Sequence, residues 1–193
     1  MESVGVVLVS VREGRRGEAF ARWIQGLLSA REGVEASIVD LKDWPLPPYT
    51  APVHPTVAEK TLPPDGLPGR WATLLRGFDA FVIVTPEYNT GYSGQLKNAL
   101  DHVNAPWNYK PVGFVSYGGV SAGTRAVQQL RQVAIELRMV PIRDEVPMSL
   151  IGLAVDERGF PAAELYVKRA AAMLDELVWW ARLLKDGRER FPR

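Results

Sequence analysis

The sequence predicts an α/β fold in which helices cover both faces of an open parallel β-sheet. Three observations carry that prediction. Five apolar runs of strand length recur along the chain, separated by segments of helical period or a long connection. The runs at residues 4–10 (VGVVLVS) and 80–85 (AFVIVT) are nearly continuous in β-branched and aromatic residues, as strands buried on both faces are. Finally, 193 residues are too few to close an eight-stranded α/β barrel with ease.

The elements follow in order. After the strand at 4–10, Phe20, Trp23, Ile24, Leu27 and Leu28 fall at i, i+3, i+4, i+7, i+8, one face of a helix. Gly33 ends that helix, and 34–41 reads as the second strand. Residues 44–68 hold eight of the fifteen prolines. Proline fixes φ and removes a donor, so this segment predicts an irregular surface connection within one domain. Trp71, Leu74, Leu75 and Phe78 mark a short helix before the strand at 80–85. Leu96, Leu100 and Val103 give the next helix face, and 111–116 a fourth strand that tolerates Pro111 at its entry. Val127, Leu130, Ala134 and Leu137 form another helix face. A weaker strand at 140–146 is interrupted by Pro141, and 162–185 is a long final helix on which Trp179 and Trp180 cannot both face the core. Residues 1–185 therefore read as one domain and 186–193 as a polar tail that frays.

Composition narrows the function. Hydrophobic residues make up 47% and charged residues 23%, the balance of a soluble globular chain. Lys and Arg number 23 against 22 Asp and Glu, without the basic excess of a nucleic-acid binder. The absence of cysteine excludes disulfides, thiolate nucleophiles and iron–sulfur ligation. His54 and His102 lie far apart, so no metal site is expected. The apolar run at 4–9 is too short for a signal segment or a membrane span. A cytoplasmic protein without membrane or nucleic-acid partners is expected.

In open parallel sheets ligands bind at the carboxyl ends of the strands, beside the topological switch point. The loop after the first strand, Ser10 to Gly17, offers backbone N–H groups at a helix N-terminus, the Ser10 hydroxyl and the guanidinium fork of Arg12, all suited to a phosphate. Its spacing matches neither a dinucleotide fingerprint nor a P-loop; the plain alternative is a basic turn in water. After the third strand, Pro86, Glu87, Tyr88, Asn89 and Thr90 supply aromatic faces, an amide and exposed backbone amides for a flat heteroaromatic ring, the alternative being a turn whose tyrosines merely pack. The loop after the fourth strand, Ser116, Tyr117, Gly118 and Gly119 onward, contains Gly119-Val120-Ser121-Ala122-Gly123, a formal nucleophile-elbow motif. An elbow needs a histidine base later in the chain, and none follows Ser121. Together, one phosphate loop and two polar, glycine-rich rims describe a flavin mononucleotide site.

The segments Ser10-Val11-Arg12-Glu13-Gly14-Arg15, Thr85-Pro86-Glu87-Tyr88-Asn89, Gly94-Gln95-Leu96-Lys97-Asn98-Ala99-Leu100-Asp101 and Ser116-Tyr117-Gly118-Gly119 occur in this order. In them the chain resembles the NADPH-dependent FMN reductase family, which includes quinone, azo-dye and chromate reductases; the resemblance covers roughly residues 3–180. It implies a flavodoxin-like sheet of order 2-1-3-4-5, with FMN as cofactor and NADPH or NADH as co-substrate. By the same resemblance Ser10, Arg12 and the Arg15, Arg16, Gly17 turn hold the phosphate. Pro86 to Thr90 line the ring and ribityl chain, and Ser116 to Gly119 close the pyrimidine edge. Many relatives carry a serine where this chain has Gly17, so backbone amides or arginine must serve there. The implied activity is hydride transfer to flavin and on to a small acceptor by a ping-pong mechanism, without a catalytic side chain. The resemblance also implies a homodimer or homotetramer through the helix at 96–103, where Tyr92, Trp107 and Asn108 would approach a partner's flavin; the alternative for Trp107 is that it simply packs at the start of the fourth strand. A flavodoxin-like electron carrier and, less favoured, a serine hydrolase using Ser121 are the alternatives. The acceptor and the choice between NADPH and NADH stay open, with Arg15, Arg16 and Arg125 as candidates for a 2′-phosphate.

Overall fold

The computed structural model describes residues 1–191. Strands β1 (Glu2–Leu8), β2 (Val34–Asp40), β3 (Ala80–Pro86), β4 (Pro111–Gly118) and β5 (Val140–Ser149) form one parallel sheet in the order β2-β1-β3-β4-β5. The helices are α1 (Gly17–Ser29), α2 (Pro55–Ala58), α3 (Leu67–Arg76), α4 (Gly94–Asp101), α5 (Thr124–Glu136) and α6 (Glu164–Arg190). Side chains alternate across the pleat. Val4, Val6, Leu8, Val82 and Val84 meet α1 and α6, whereas Val7, Val9, Phe81, Ile83 and Phe114 meet α3, α4 and α5.

The central strands are apolar on both faces because both faces are covered: all seven residues of β3 are buried. The edge strand β2 instead exposes Glu35 and Ser37. The other edge, β5, runs three residues past its expected end despite Pro141 and Pro147. An edge strand has a side free of ladder bonds where proline is tolerated, and a register shift between Val112 and Phe114 accommodates the irregularity.

The proline-rich connection is pinned to α4. Asn98 donates to the carbonyls of Leu46 and Pro47, each at 3.0 Å, and accepts from the Tyr49 amide at 3.1 Å. His102 Nε2 donates to Pro47 O at 2.7 Å. Glu59 accepts from the amides of Asn104 and Ala105. Trp107 is buried at the entry to β4, its ring 4.8 Å from Phe81 and 6.1 Å from Trp71, so it packs within its own core.

One expectation is corrected. Residues 186–190 do not form a fraying tail: α6 continues through Arg190. Lys185 Nζ and Arg188 Nη2 reach the carboxylate of Asp79 at 2.8 and 2.9 Å, and Arg188 Nη1 donates to Tyr109 O at 2.7 Å. These bonds cross the chain and fix the last turns of the helix. Residues 192 and 193 of the expected tail lie outside the described residues. No helix among the described residues is long and apolar enough to cross a membrane.

Candidate cofactor site

Three loops leave the carboxyl ends of β1, β3 and β4 and converge on a cleft of about 370 Å³, within the usual range for small-molecule sites. From the first loop it is lined by Ser10, Arg12, Glu13, Gly14, Arg15 and Arg16; from the second by Pro86, Glu87 and Tyr88; from the third by Tyr117, Gly118 and Gly119. Leu150, just beyond β5, completes it.

The first loop turns through Gly14 at φ +64° and enters α1 at Gly17. No side chain caps α1, which leaves its first-turn amides without an intrahelical or side-chain acceptor. Glycine is required at position 17, because a Cβ there would lie 2.5 Å from the Tyr117 hydroxyl. That hydroxyl is buried and makes no hydrogen bond of normal geometry among the described residues; burial pushes its pKa up, and the nearby Ser10 only partly opposes this.

The three arginines separate into two roles. Arg15 forms a bidentate pair with Asp40 at the end of β2 and donates to Ser10 O at 2.7 Å. The hydrogen bond to Asp40 raises its pKa further against the opposing effect of burial. Arg12 and Arg16 are exposed and have no carboxylate partner among the described residues. Arg12 lies over the Tyr88 ring, 5.9 Å from its centroid.

The second loop makes a tight turn in which Tyr88 and Gly91 exchange both backbone hydrogen bonds. Asn89 and Thr90 sit at its tip with φ of 49° and 68°, a left-handed conformation that non-glycine residues adopt at a cost. Both are exposed and outside the cleft lining. In the third loop Ser116 is fully buried and donates to Ala122 O at 2.9 Å. Gly123 closes the loop at φ +85°, where a Cβ would lie 2.7 Å from that of Ser116. Gly17, Asn89, Thr90 and Ser116 do not line the cleft: Gly17 and Ser116 are buried, and Asn89 and Thr90 are exposed at the tip of the turn.

The second and third loops are tied through Glu87, whose carboxylate accepts from Ser121 Oγ at 2.8 Å and Arg125 Nε at 2.6 Å. Burial pushes the Glu87 carboxyl up, but the bonds from Ser121 and Arg125 outweigh it and hold the group below its ordinary value. Ser121 has no histidine: His102 is bonded to Pro47 O, and His54 Nδ1 lies 2.9 Å from Thr56 Oγ1. The nucleophile-elbow reading is therefore without its base.

Three cleft residues were not among the expected site residues. Glu13 and Gly14 belong to the first-loop motif but were given no contact of their own. Leu150 follows β5, whose carboxyl end abuts β4 only because the sheet order makes them neighbours.

Residues 3–151 match the NADPH-dependent FMN reductase family. An NAD(P)H-dependent FMN reductase of Schizosaccharomyces pombe is 35% identical over 160 residues, covering 78% of this chain and 79% of that protein. A quinone reductase of Pseudomonas putida is 34% identical over 143 residues, covering 71% and 72%. Among solved structures, the flavoenzyme NAD(P)H:(acceptor) oxidoreductase FerB of Paracoccus denitrificans superposes with a TM-score of 0.75 at 22% identity, over 94% of this chain and 98% of that one. A flavodoxin of Pseudomonas aeruginosa shares the fold at a TM-score of 0.57 and 19% identity, over 93% and 99%. The chain belongs to the NADPH-dependent FMN reductase family and is a flavin-dependent NAD(P)H oxidoreductase.

Proposed function

We propose that this chain holds FMN in the cleft between its three loops and couples oxidation of NADPH or NADH to reduction of a small acceptor in a ping-pong sequence. The acceptor class is a free flavin, quinone, azo dye or metal oxyanion, compounds that can meet an open ring face in turn. The observation that carries the reading is the buried hydroxyl of Tyr117, without a hydrogen bond of normal geometry among the described residues, beside the uncapped start of α1 and near Arg12 and Arg16, which have no carboxylate partner among those residues. A buried orphan hydroxyl is costly, and an uncapped helix start favours an anion. These donors fit a phosphate ester.

FMN, when bound, supplies the hydride and electron chemistry. The chain's residues position and shield it. Arg12, Arg16 and the α1 amides take the phosphate, while Arg15 and Ser10 hold the loop in shape around it, with Gly17 leaving room. Pro86, Glu87 and Tyr88 flank the ring on one side, and Tyr117, Gly118 and Gly119 on the other. Asn89, Thr90 and Ser116 fix the turns that present those backbones.

The same reading places the protein in the cytoplasm as a homodimer or homotetramer assembled around α4. Leu96, Leu100 and Val103 are committed to the protomer's own core. A partner would therefore meet the outer face with Gln95, Lys97 and Asp101, and the exposed Val53 and Val57 of the proline-rich connection.

The test is a visible spectrum of the purified protein with FMN, before and after anaerobic NADPH. Bound flavin bands that bleach are expected. Bands that persist with both NADPH and NADH would leave only an electron carrier, and failure to bind FMN would overturn the proposal.

A further inference from the structure

We infer that Arg125, anchored by Ser121, is the counter-charge that stops the Glu87 carboxylate from opposing reduction of the flavin, so that the junction between the loop after β4 and α5 sets the potential of the site. The inference rests on FMN occupying the cleft, as proposed above.

Glu87 lines the cleft, yet only 5% of its side chain is exposed. Its carboxylate hydrogen bonds come from Ser121, in the loop after β4, and from Arg125, in the first turn of α5. Oε1 accepts from Ser121 Oγ at 2.8 Å and from Arg125 Nε at 2.6 Å, and Oε2 accepts from the Arg125 amide at 3.2 Å. Arg125 Nη2 closes the triangle, 2.5 Å from Glu87 Oε1 and donating to Ser121 Oγ at 3.0 Å. The serine hydroxyl both donates and accepts within this cluster, which explains the nucleophile-elbow spacing without a nucleophile.

The other titratable groups of the cleft are Arg12, Glu13, Arg15, Arg16, Tyr88 and Tyr117. Arg15 is committed to Asp40, and Tyr88 lies in hydrogen-bond contact with Ser10. None of the six has a hydrogen bond to Glu87. Among the described residues Arg125 is the only cation paired with it.

That pairing has a consequence for the reaction. A hydride leaving NAD(P)H brings two electrons and one proton to a neutral ring, so NAD(P)⁺ departs and the ring is left anionic. A lone buried carboxylate on the rim would repel that charge through a medium of low dielectric constant. Paired with Arg125, it adds almost nothing.

The decisive variant is Arg125→Met, which keeps an unbranched apolar stem and removes the guanidinium with its charge. FMN affinity and the two-electron potential of bound FMN are measured for wild type and variant from pH 5.5 to 8.5. Arg125→Met is expected to bind oxidised FMN within about threefold of wild type. At pH 8.5 its balance of reduced to oxidised flavin should shift at least tenfold toward oxidised, about 30 mV for a two-electron couple. The gap closes toward pH 5.5 as Glu87, deprived of its counter-charge, takes up a proton. Glu87→Gln combined with Arg125→Met abolishes it at every pH. A gap of the same size at all pH values, or one that survives in the double variant, would overturn the inference. Should Arg125→Met fail to fold, Glu87→Gln alone serves: it leaves Arg125 uncompensated and should shift the balance toward reduced flavin, and no shift would refute the idea. If wild type binds no FMN, the reading of the cleft fails. If wild type binds FMN and the variants leave its potential unmoved, only this inference fails.

Discussion

The hydroxyl oxygens of Ser10 and Tyr88 lie 2.8 Å apart, joining the loop after β1 to the loop after β3. The contact fixes the spacing between the arginine-rich end of the cleft and its aromatic rim. Tyr88→Phe removes one partner and should weaken FMN binding about fivefold, the equivalent of about 1 kcal/mol. Ser10→Ala should do the same, and the double variant should be little worse than either, since both lose one shared interaction. Fluorescence titration of FMN reads all three.

Arg12 has no carboxylate partner among the described residues, which leaves its guanidinium available to an anion. Arg12→Ala should raise the Kd for FMN by a factor of roughly ten to a hundred, as loss of a charge-assisted hydrogen bond worth about 1.5–3 kcal/mol implies. Protein still loaded with FMN should be reduced by NADPH at a rate within about threefold of wild type in stopped-flow measurements. Full FMN affinity in the variant would remove Arg12 from the site.

Arg15 has the opposite role, because its guanidinium is spent on Asp40. The pair is largely buried, with side chains 10% and 17% exposed, so breaking it leaves a charge without its partner. Arg15→Ala should cost about 2 kcal/mol and lower the Tm by about 4–8 °C. Asp40→Asn separates the roles further. If Arg15 bound phosphate directly, freeing it from Asp40 would tighten FMN binding; weaker binding is expected, because the loop loses its brace.

The sheet was legible because burial on both faces writes itself into β1, β3 and β4 as unbroken apolar runs. The cleft was legible because the loops that line it leave those same strands. What could not be read depends on contacts between distant residues. The last turns of α6 are polar in sequence, but Lys185 and Arg188 find Asp79, more than a hundred positions away. Arg12, Arg15 and Arg16 look equivalent until Asp40 is seen to claim one of them. Trp107 carries no mark of its partners Phe81 and Trp71. Leu150 enters the cleft through strand order alone.

Gly17 and Tyr117 form a second coupled pair. Gly17→Ala drives a methyl group against the Tyr117 hydroxyl and should destabilise the fold by about 1–3 kcal/mol, the usual range for overpacking. Adding Tyr117→Phe removes the obstructing oxygen and should restore most of that loss. Tyr117→Phe alone has two opposite effects. It relieves an unsatisfied buried hydroxyl and should raise the stability of the FMN-free protein by about 1 kcal/mol, and it should weaken FMN binding. Thermal melts with and without FMN separate the two. A variant neutral in both would leave Tyr117 without a part in the site.

Lys110 offers a pH test remote from the cleft. It is 6% exposed, and burial pushes its pKa down to about 7, helped by Arg188 and Arg76 and opposed by Asp79. Its ammonium donates to Leu75 O at 2.8 Å near the end of α3 and lies 5.6 Å from the Phe81 ring centroid. Because the folded pKa lies below the ordinary 10.5, the unfolded chain binds the extra proton between about pH 7 and 10.5. The charge therefore opposes folding most below pH 7, and that opposition fades as pH rises through the window. Lys110→Met removes the group, together with its bond to Leu75. Relative to wild type the variant should fare best near pH 6.5 and lose ground toward pH 9.5, with a slope of at most about 1.4 kcal/mol per pH unit. Urea denaturation at the two pH values measures the difference. A flat comparison would mean that Leu75 O, Phe81 and Asp79 keep Lys110 charged inside the fold, and that its burial is fully compensated.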